Sequence, residues 1–126
     1  MKTILLVEDE ILLREGVQET LEVHGYTVIG AADGVEALDW LLQTEVSLII
    51  TDLVMPNMNG VEFIEELRTK YPKLPVIVAS GSPDTVQSRL GISNIHVPGA
   101  SACITKPFKG KELVALIEKV LAETAA

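Results

Sequence analysis

The chain has 126 residues, 48% of them hydrophobic, enough for one core and hardly for two. Its 18 acidic residues outnumber 10 basic ones, and the formal charge of -8 sets a long-range field that repels nucleic acid and anionic membrane, so direct DNA binding is not expected. A single cysteine excludes an internal disulfide framework, no apolar run approaches membrane-spanning length, and the opening MKTILLVEDE puts charges straight after its apolar run, unlike a signal peptide; one cytoplasmic domain over residues 1–126 is the expectation.

Thr3 to Val7 is a short apolar run that predicts a buried strand and ends in Glu8-Asp9-Glu10. Leu13, Val17 and Leu21, spaced by four, predict one face of a helix that closes at His24-Gly25. Tyr26 to Ala31 reads as the second strand, and Asp33 as the N-cap of a helix with Val35, Leu38, Leu41 and Leu42 inward. The third strand, Val46 through Ile50, stops at Thr51-Asp52 and is followed by Pro56, Asn57, Asn59 and Gly60, all residues that favour turns. Gly60 opens a third helix, with Val61, Ile64 and Leu67 inward, and Tyr71-Pro72 ends it. Pro75 to Ala79 is the fourth strand. After Ser80-Gly81-Ser82-Pro83 a fourth helix is expected over roughly Pro83 to Leu90, because proline suits a first helical turn. Gly91 to Ala100 has no clear period and reads as loop. Ala102 to Thr105 is the fifth strand, Lys106-Pro107 its turn, and Lys109 to Glu123 the last helix, with Leu113, Leu116, Ile117, Val120 and Leu121 as its apolar stripe. Repeated βα units with continuously apolar strands predict an α/β fold, a doubly wound parallel sheet covered on both faces through right-handed crossovers.

In such a sheet Glu8 and Asp9, Asp52, Ser80 and Lys106 all fall on the carboxyl edge, where the βα loops converge and ligands bind. Asp52 taken alone is equally well an N-cap or Asx-turn aspartate. Its companions change the reading. Three carboxylates brought together repel one another unless a cation neutralises them. Oxygen donors without histidine or cysteine favour Mg²⁺ or Mn²⁺ over zinc. A lysine and a hydroxyl facing that cation suit a tetrahedral oxyanion, so a phosphoryl group on or beside Asp52 is expected.

Over its whole length the chain resembles the receiver domain of two-component response regulators. The motifs LLVEDE, ITDLVMPNMNG, VASG and ITKPF stand in the family's order and at similar spacing. The resemblance implies a flavodoxin-like, three-layer α/β/α domain with five strands in the order 2-1-3-4-5 and five helices. It implies that Asp52 is the phosphoacceptor, taking its phosphoryl group from a histidine kinase or phosphotransfer protein. Asp9 would be a direct Mg²⁺ ligand, Glu8 a ligand through water, and the backbone carbonyl of Val54 would complete the protein's share of the metal shell. Ser80 and Lys106 would each bind a phosphoryl oxygen in the switched state, and a cis peptide is implied at Lys106-Pro107. A separate downstream protein would read the switch. Val54 and Ser82, two residues after the acceptor and the hydroxyl, would flank the path of attacking water. Val54 offers that water no hydrogen bond, so slow loss of the phosphoryl group is expected, not dedicated enzyme activity.

Three departures from the family pattern stand out. Cys103 occupies the position, three residues before the lysine, where receivers carry an aromatic ring that reorients on activation; it reads here as a small core residue on a packed strand. The segment between Ser80 and Lys106 is longer than usual, and no output domain follows Ala126, so any effect is expected to pass through another protein. His24 and His96 lack metal-ligand spacing, and Trp40 is expected on the side of its helix opposite Leu38 and Leu42, part exposed. The alternatives are a degenerate receiver serving as a phosphorylation-independent scaffold, or the isolated receiver of a larger regulator. An aspartyl phosphohydrolase would need an acid at Val54. A flavodoxin-like electron carrier would need a hydroxyl- and glycine-rich loop in place of Glu8-Asp9-Glu10.

Overall fold

A computed structural model describes residues 2–52, 60–80, 99–105 and 108–125. In chain order these form β1 (Thr3–Val7), α1 (Ile11–Val23), β2 (Thr27–Ala31), α2 (Gly34–Gln43), β3 (Leu48–Thr51), α3 (Gly60–Lys70), β4 (Val76–Ser80), β5 (Ala102–Thr105) and α4 (Gly110–Ala125). The helix expected at residues 83–90, most of the irregular loop after it, and the Lys106-Pro107 turn lie outside the described residues.

The five strands form one parallel sheet in the order β2-β1-β3-β4-β5. Strand alternation divides the core into two layers. Leu5, Val7, Ile49, Val76 and Val78 face one side, where Ala37 of α2 and Phe63, Ile64 and Leu67 of α3 cover them. Ile4, Leu6, Leu48, Ile50 and Ile77 face the other, against Leu21 of α1 and Leu113, Val114, Ile117 and Val120 of α4. Coverage on both faces is why the inner strands β1, β3 and β4 read as unbroken apolar runs with no polar face. Phe63 and Val114 are core residues that helical periodicity did not single out.

Local chemistry explains the helix ends. The Asp33 carboxylate accepts from the Glu36 N–H at 2.8 Å, and the Glu36 carboxylate reaches back to the Ala32 N–H at 3.2 Å, so the start of α2 is satisfied reciprocally. At the end of α1, Gly25 takes φ 93°, its N–H donates to the Glu22 carbonyl, and the Tyr26 N–H donates to the Leu21 carbonyl. This turn holds Tyr26, so β2 begins at Thr27.

The inward face of α2 differs from expectation. Gly34, Ala37, Leu38 and Leu41 turn toward the sheet, while Val35 is exposed and Leu42 is 79% exposed. Val35 and Leu42 are seven apart and share an outward strip, since two helical turns return to the same side. Trp40 is half-buried and packs against the cluster with Leu41, rather than standing opposite it.

Gly99, just before β5, has φ 90°, and a Cβ there would lie 2.8 Å from Arg68 Cγ and 3.0 Å from Ile64 Cγ2. The Arg68 guanidinium is itself anchored to the carbonyls of Pro72 and Leu74, so the side chain has little room to yield. Gly99→Ala is expected to cost about 1–3 kcal/mol of stability, from the backbone conformation and the contact together. A urea midpoint equal to wild type would contradict this account.

Candidate functional site

Strand register places the acids. Val7 lies opposite Thr51 across the β1–β3 pair and opposite Ala31 across β1–β2. Glu8 and Asp52 therefore leave the sheet side by side at its carboxyl edge. The Asp52 N–H donates to the Val7 carbonyl at 3.3 Å, and the Glu8 N–H to the Ala31 carbonyl at 2.9 Å. Thr51 is fully buried, and its hydroxyl donates to the Asp52 carbonyl at 3.0 Å, tying down the backbone that carries the carboxylate.

Glu8, Asp9 and Asp52 each offer a carboxylate oxygen, and these atoms lie within 4.8 Å of one another. Glu8 is buried at 5% relative exposure, Asp52 is half-buried and Asp9 is exposed. An all-oxygen donor set of this charge and spacing fits a hard divalent cation. A crevice beside the trio is lined by Glu8, Arg14, Thr51, Asp52, Ala79 and Phe108, among others. A larger groove of about 470 Å³ runs between α1 and α4, and its lining among the described residues is mainly apolar, with Leu12, Leu13, Val17, Phe108 and Leu113 beside the Thr20 hydroxyl.

Of the remaining residues expected at the site, Ser80 ends β4 opposite Thr105 of β5, which puts its backbone on the same edge; its side chain lies outside the described part. Val54, Ser82, Lys106 and Pro107 lie outside the described residues. Cys103 is exposed on the edge strand β5 and is not a core residue. Strand alternation sends its neighbours Ala102 and Ile104 into the layer beneath α4, which leaves Cys103 and Thr105 on the other side. Partial desolvation still pushes the Cys103 thiol above its ordinary value, favouring the protonated, unreactive form.

Arg14 was not singled out from sequence. It stands one turn into α1, next to the inward Leu13, and its guanidinium donates to the Glu8 carbonyl at 2.6 Å. A cation five residues after Asp9 and beside the inward face of the helix was the available signal.

Fold and acids together define a doubly wound α/β domain carrying a carboxylate cluster suited to a divalent cation at its strand ends. The response regulator receiver domain family matches residues 4–118, and the chain belongs to that family. Among curated relatives it is 35% identical to the transcriptional regulatory protein CpxR homolog of Haemophilus influenzae, over all of this chain and 53% of that protein. It is 37% identical to the sensor kinase CckA of Brucella abortus, over 94% of this chain and 12% of that one. The chain thus spans about half the length of the first of these and a small part of the second. Among solved structures, the chemotaxis response regulator CheY4 of Vibrio cholerae superposes with a TM-score of 0.78 at 33% identity, covering 95% of this chain and 98% of that one. Among the described residues, no helix is long and apolar enough to cross a membrane.

Proposed function

We propose that the protein is a phosphoacceptor in a two-component phosphorelay, in which Asp52 takes a phosphoryl group from the phosphohistidine of a kinase or phosphotransfer protein and the altered domain regulates a separate target. The convergence of Glu8 and Asp9 on Asp52 at the carboxyl edge of the sheet carries this reading. An Asp52 carboxylate oxygen attacks phosphorus, the new O–P bond forms as the N–P bond breaks, and the electron pair leaves with the donor's imidazole. Glu8 and Asp9, with the Val54 carbonyl by family resemblance, would hold the cation. Mg²⁺, when bound, supplies charge neutralisation for the transferring group. Thr51 and the β1–β3 ladder keep Asp52 in place, and Ser80 and Lys106 are assigned to the phosphoryl oxygens. The domain is not a dedicated enzyme, and a cytoplasmic setting fits these partners.

A protein donor must rest on the surface around the acids. The α1–α4 groove shares Leu13, Val17 and Phe108 with the acidic crevice, and Leu12 beside it is 84% exposed. Apolar contact area is therefore available next to the reacting carboxylate. The competing reading, a scaffold that never carries phosphate, has no use for three acids held in mutual repulsion.

Incubation with acetyl phosphate and Mg²⁺, followed by intact mass, tests the proposal: one phosphoryl group is expected, and none in EDTA. An unmodified mass in Mg²⁺ leaves the scaffold reading standing. Once formed, the acyl phosphate is expected to decay slowly, because Val54 gives an in-line water no hydrogen bond. Val54→Asn should speed the decay; equal decay in wild type and variant would remove the positioning argument.

A further inference from the structure

Arg14 ties both ends of the acidic turn to α1. Its backbone N–H donates to the Glu10 carbonyl at 2.9 Å, and its guanidinium donates to the Glu8 carbonyl at 2.6 Å. The first of these is the opening backbone bond of α1, which any residue at 14 would make; the second belongs to the arginine side chain and ties the backbone of Glu8, next to Asp9, to the helix. To reach Glu8 its stem crosses β2 at Gly30, where a Cβ would lie 3.1 Å from Arg14 Cδ and 3.4 Å from Nε. The absent side chain at Gly30 leaves the path clear. We infer that Arg14, routed across Gly30, is a positioning residue for the divalent-cation site, fixing the Glu8-Asp9 turn so that both carboxylates meet Asp52. The inference rests on the metal-dependent reading of the acid trio.

Electrostatics alone predicts the opposite effect, and this makes the role testable. Arginine is always charged, and a cation lining the same crevice as Glu8 and Asp52 repels a divalent ion, so its removal should tighten metal binding if charge were all it contributed. A positioning role predicts weaker binding, because losing the partner of a ligand-bearing group typically costs 10–100-fold in affinity. The shape of the guanidinium also matters: lysine keeps the charge but carries it on a compact, strongly hydrated ammonium at the end of a flexible stem.

Mn²⁺ binding, followed by electron paramagnetic resonance, separates these cases in Arg14→Met, Arg14→Lys and Gly30→Val, each beside its melting temperature in EDTA. Arg14→Met and Gly30→Val are expected to bind Mn²⁺ about 10-fold more weakly than wild type, and Arg14→Lys to fall between. Gly30→Val keeps the arginine and its charge while blocking its route, so its loss of affinity isolates placement from charge. Affinity lost at an unchanged EDTA melting temperature supports the role. Unchanged or tighter binding in Arg14→Met overturns it, as does wild-type affinity in Gly30→Val. An Asp9→Asn control keeps the two levels apart. If wild-type Mn²⁺ binding does not depend on Asp9, the metal-site reading and this inference fall together; if it does, and the Arg14 and Gly30 variants match wild type, only the inference falls.

Discussion

Asp52→Asn is expected to abolish phosphoryl uptake, leaving an unmodified mass under conditions that label the wild type to one group. The change is nearly isosteric, and the bonds that fix this residue's backbone, from its N–H to Val7 and from the Thr51 hydroxyl to its carbonyl, do not involve the carboxylate. The fold should therefore survive and only the chemistry be lost. A carboxamide has neither the charge nor the nucleophilicity to attack phosphorus. Labelling of Asp52→Asn at the wild-type level would move the acceptor elsewhere and undo the proposed mechanism. Circular dichroism of the variant guards against loss through unfolding.

The second large effect concerns Mg²⁺. A ligand that binds only the folded state stabilises it by about 2.7 kcal/mol at a hundredfold excess over its dissociation constant, on the order of 10 °C in melting temperature for a domain of this size. Wild type should show this gain on addition of Mg²⁺ and lose it in EDTA. Asp9→Asn should remove most of it, and Glu8→Gln less, since Asp9 is assigned as the direct ligand and Glu8 as the one acting through water. Without metal the order of stability reverses. Three carboxylates with oxygens within 4.8 Å of one another repel, so neutralising the exposed Asp9 in Asp9→Asn should raise the melting point in EDTA. Equal losses of the Mg²⁺ gain in the two variants would contradict the assigned roles.

Exposure of Cys103 bears on how a switch in this domain could work. The position to which the family resemblance assigns a ring holds here an exposed thiol on the edge strand β5. In the proposed function the switch is therefore assigned to Ser80, whose backbone ends β4 at the same sheet edge. Desolvation of the thiol argues against a redox role in its place.

Much of the fold was legible from the chain alone. β1, β3 and β4 are each an apolar run of a few residues closed by a polar one, because strands covered on both faces have no solvent side to mark. The acids that matter end such runs, so the sequence assigns Glu8, Asp9 and Asp52 to one sheet edge, and Asp33 reads as a cap from its place before Val35 and Leu38. Three matters were decided only in three dimensions. The inward face of α2 is ambiguous in sequence, since Val35 and Leu42 form an apolar strip as convincing as Ala37 and Leu41; docking onto the sheet selects the strip with the small residues Gly34 and Ala37, which let the helix approach. The exposure of Cys103 follows from β5 lying at the edge of the sheet and from the phase of its alternation, neither of which a four-residue strand reveals. The clasp of Arg14 on Glu8 depends on β2 pairing with β1, because only that pairing brings Gly30 beneath an arginine sixteen residues earlier in the chain. Short-range patterns record what each segment buries, whereas contacts between segments distant in sequence exist only once the sheet has assembled.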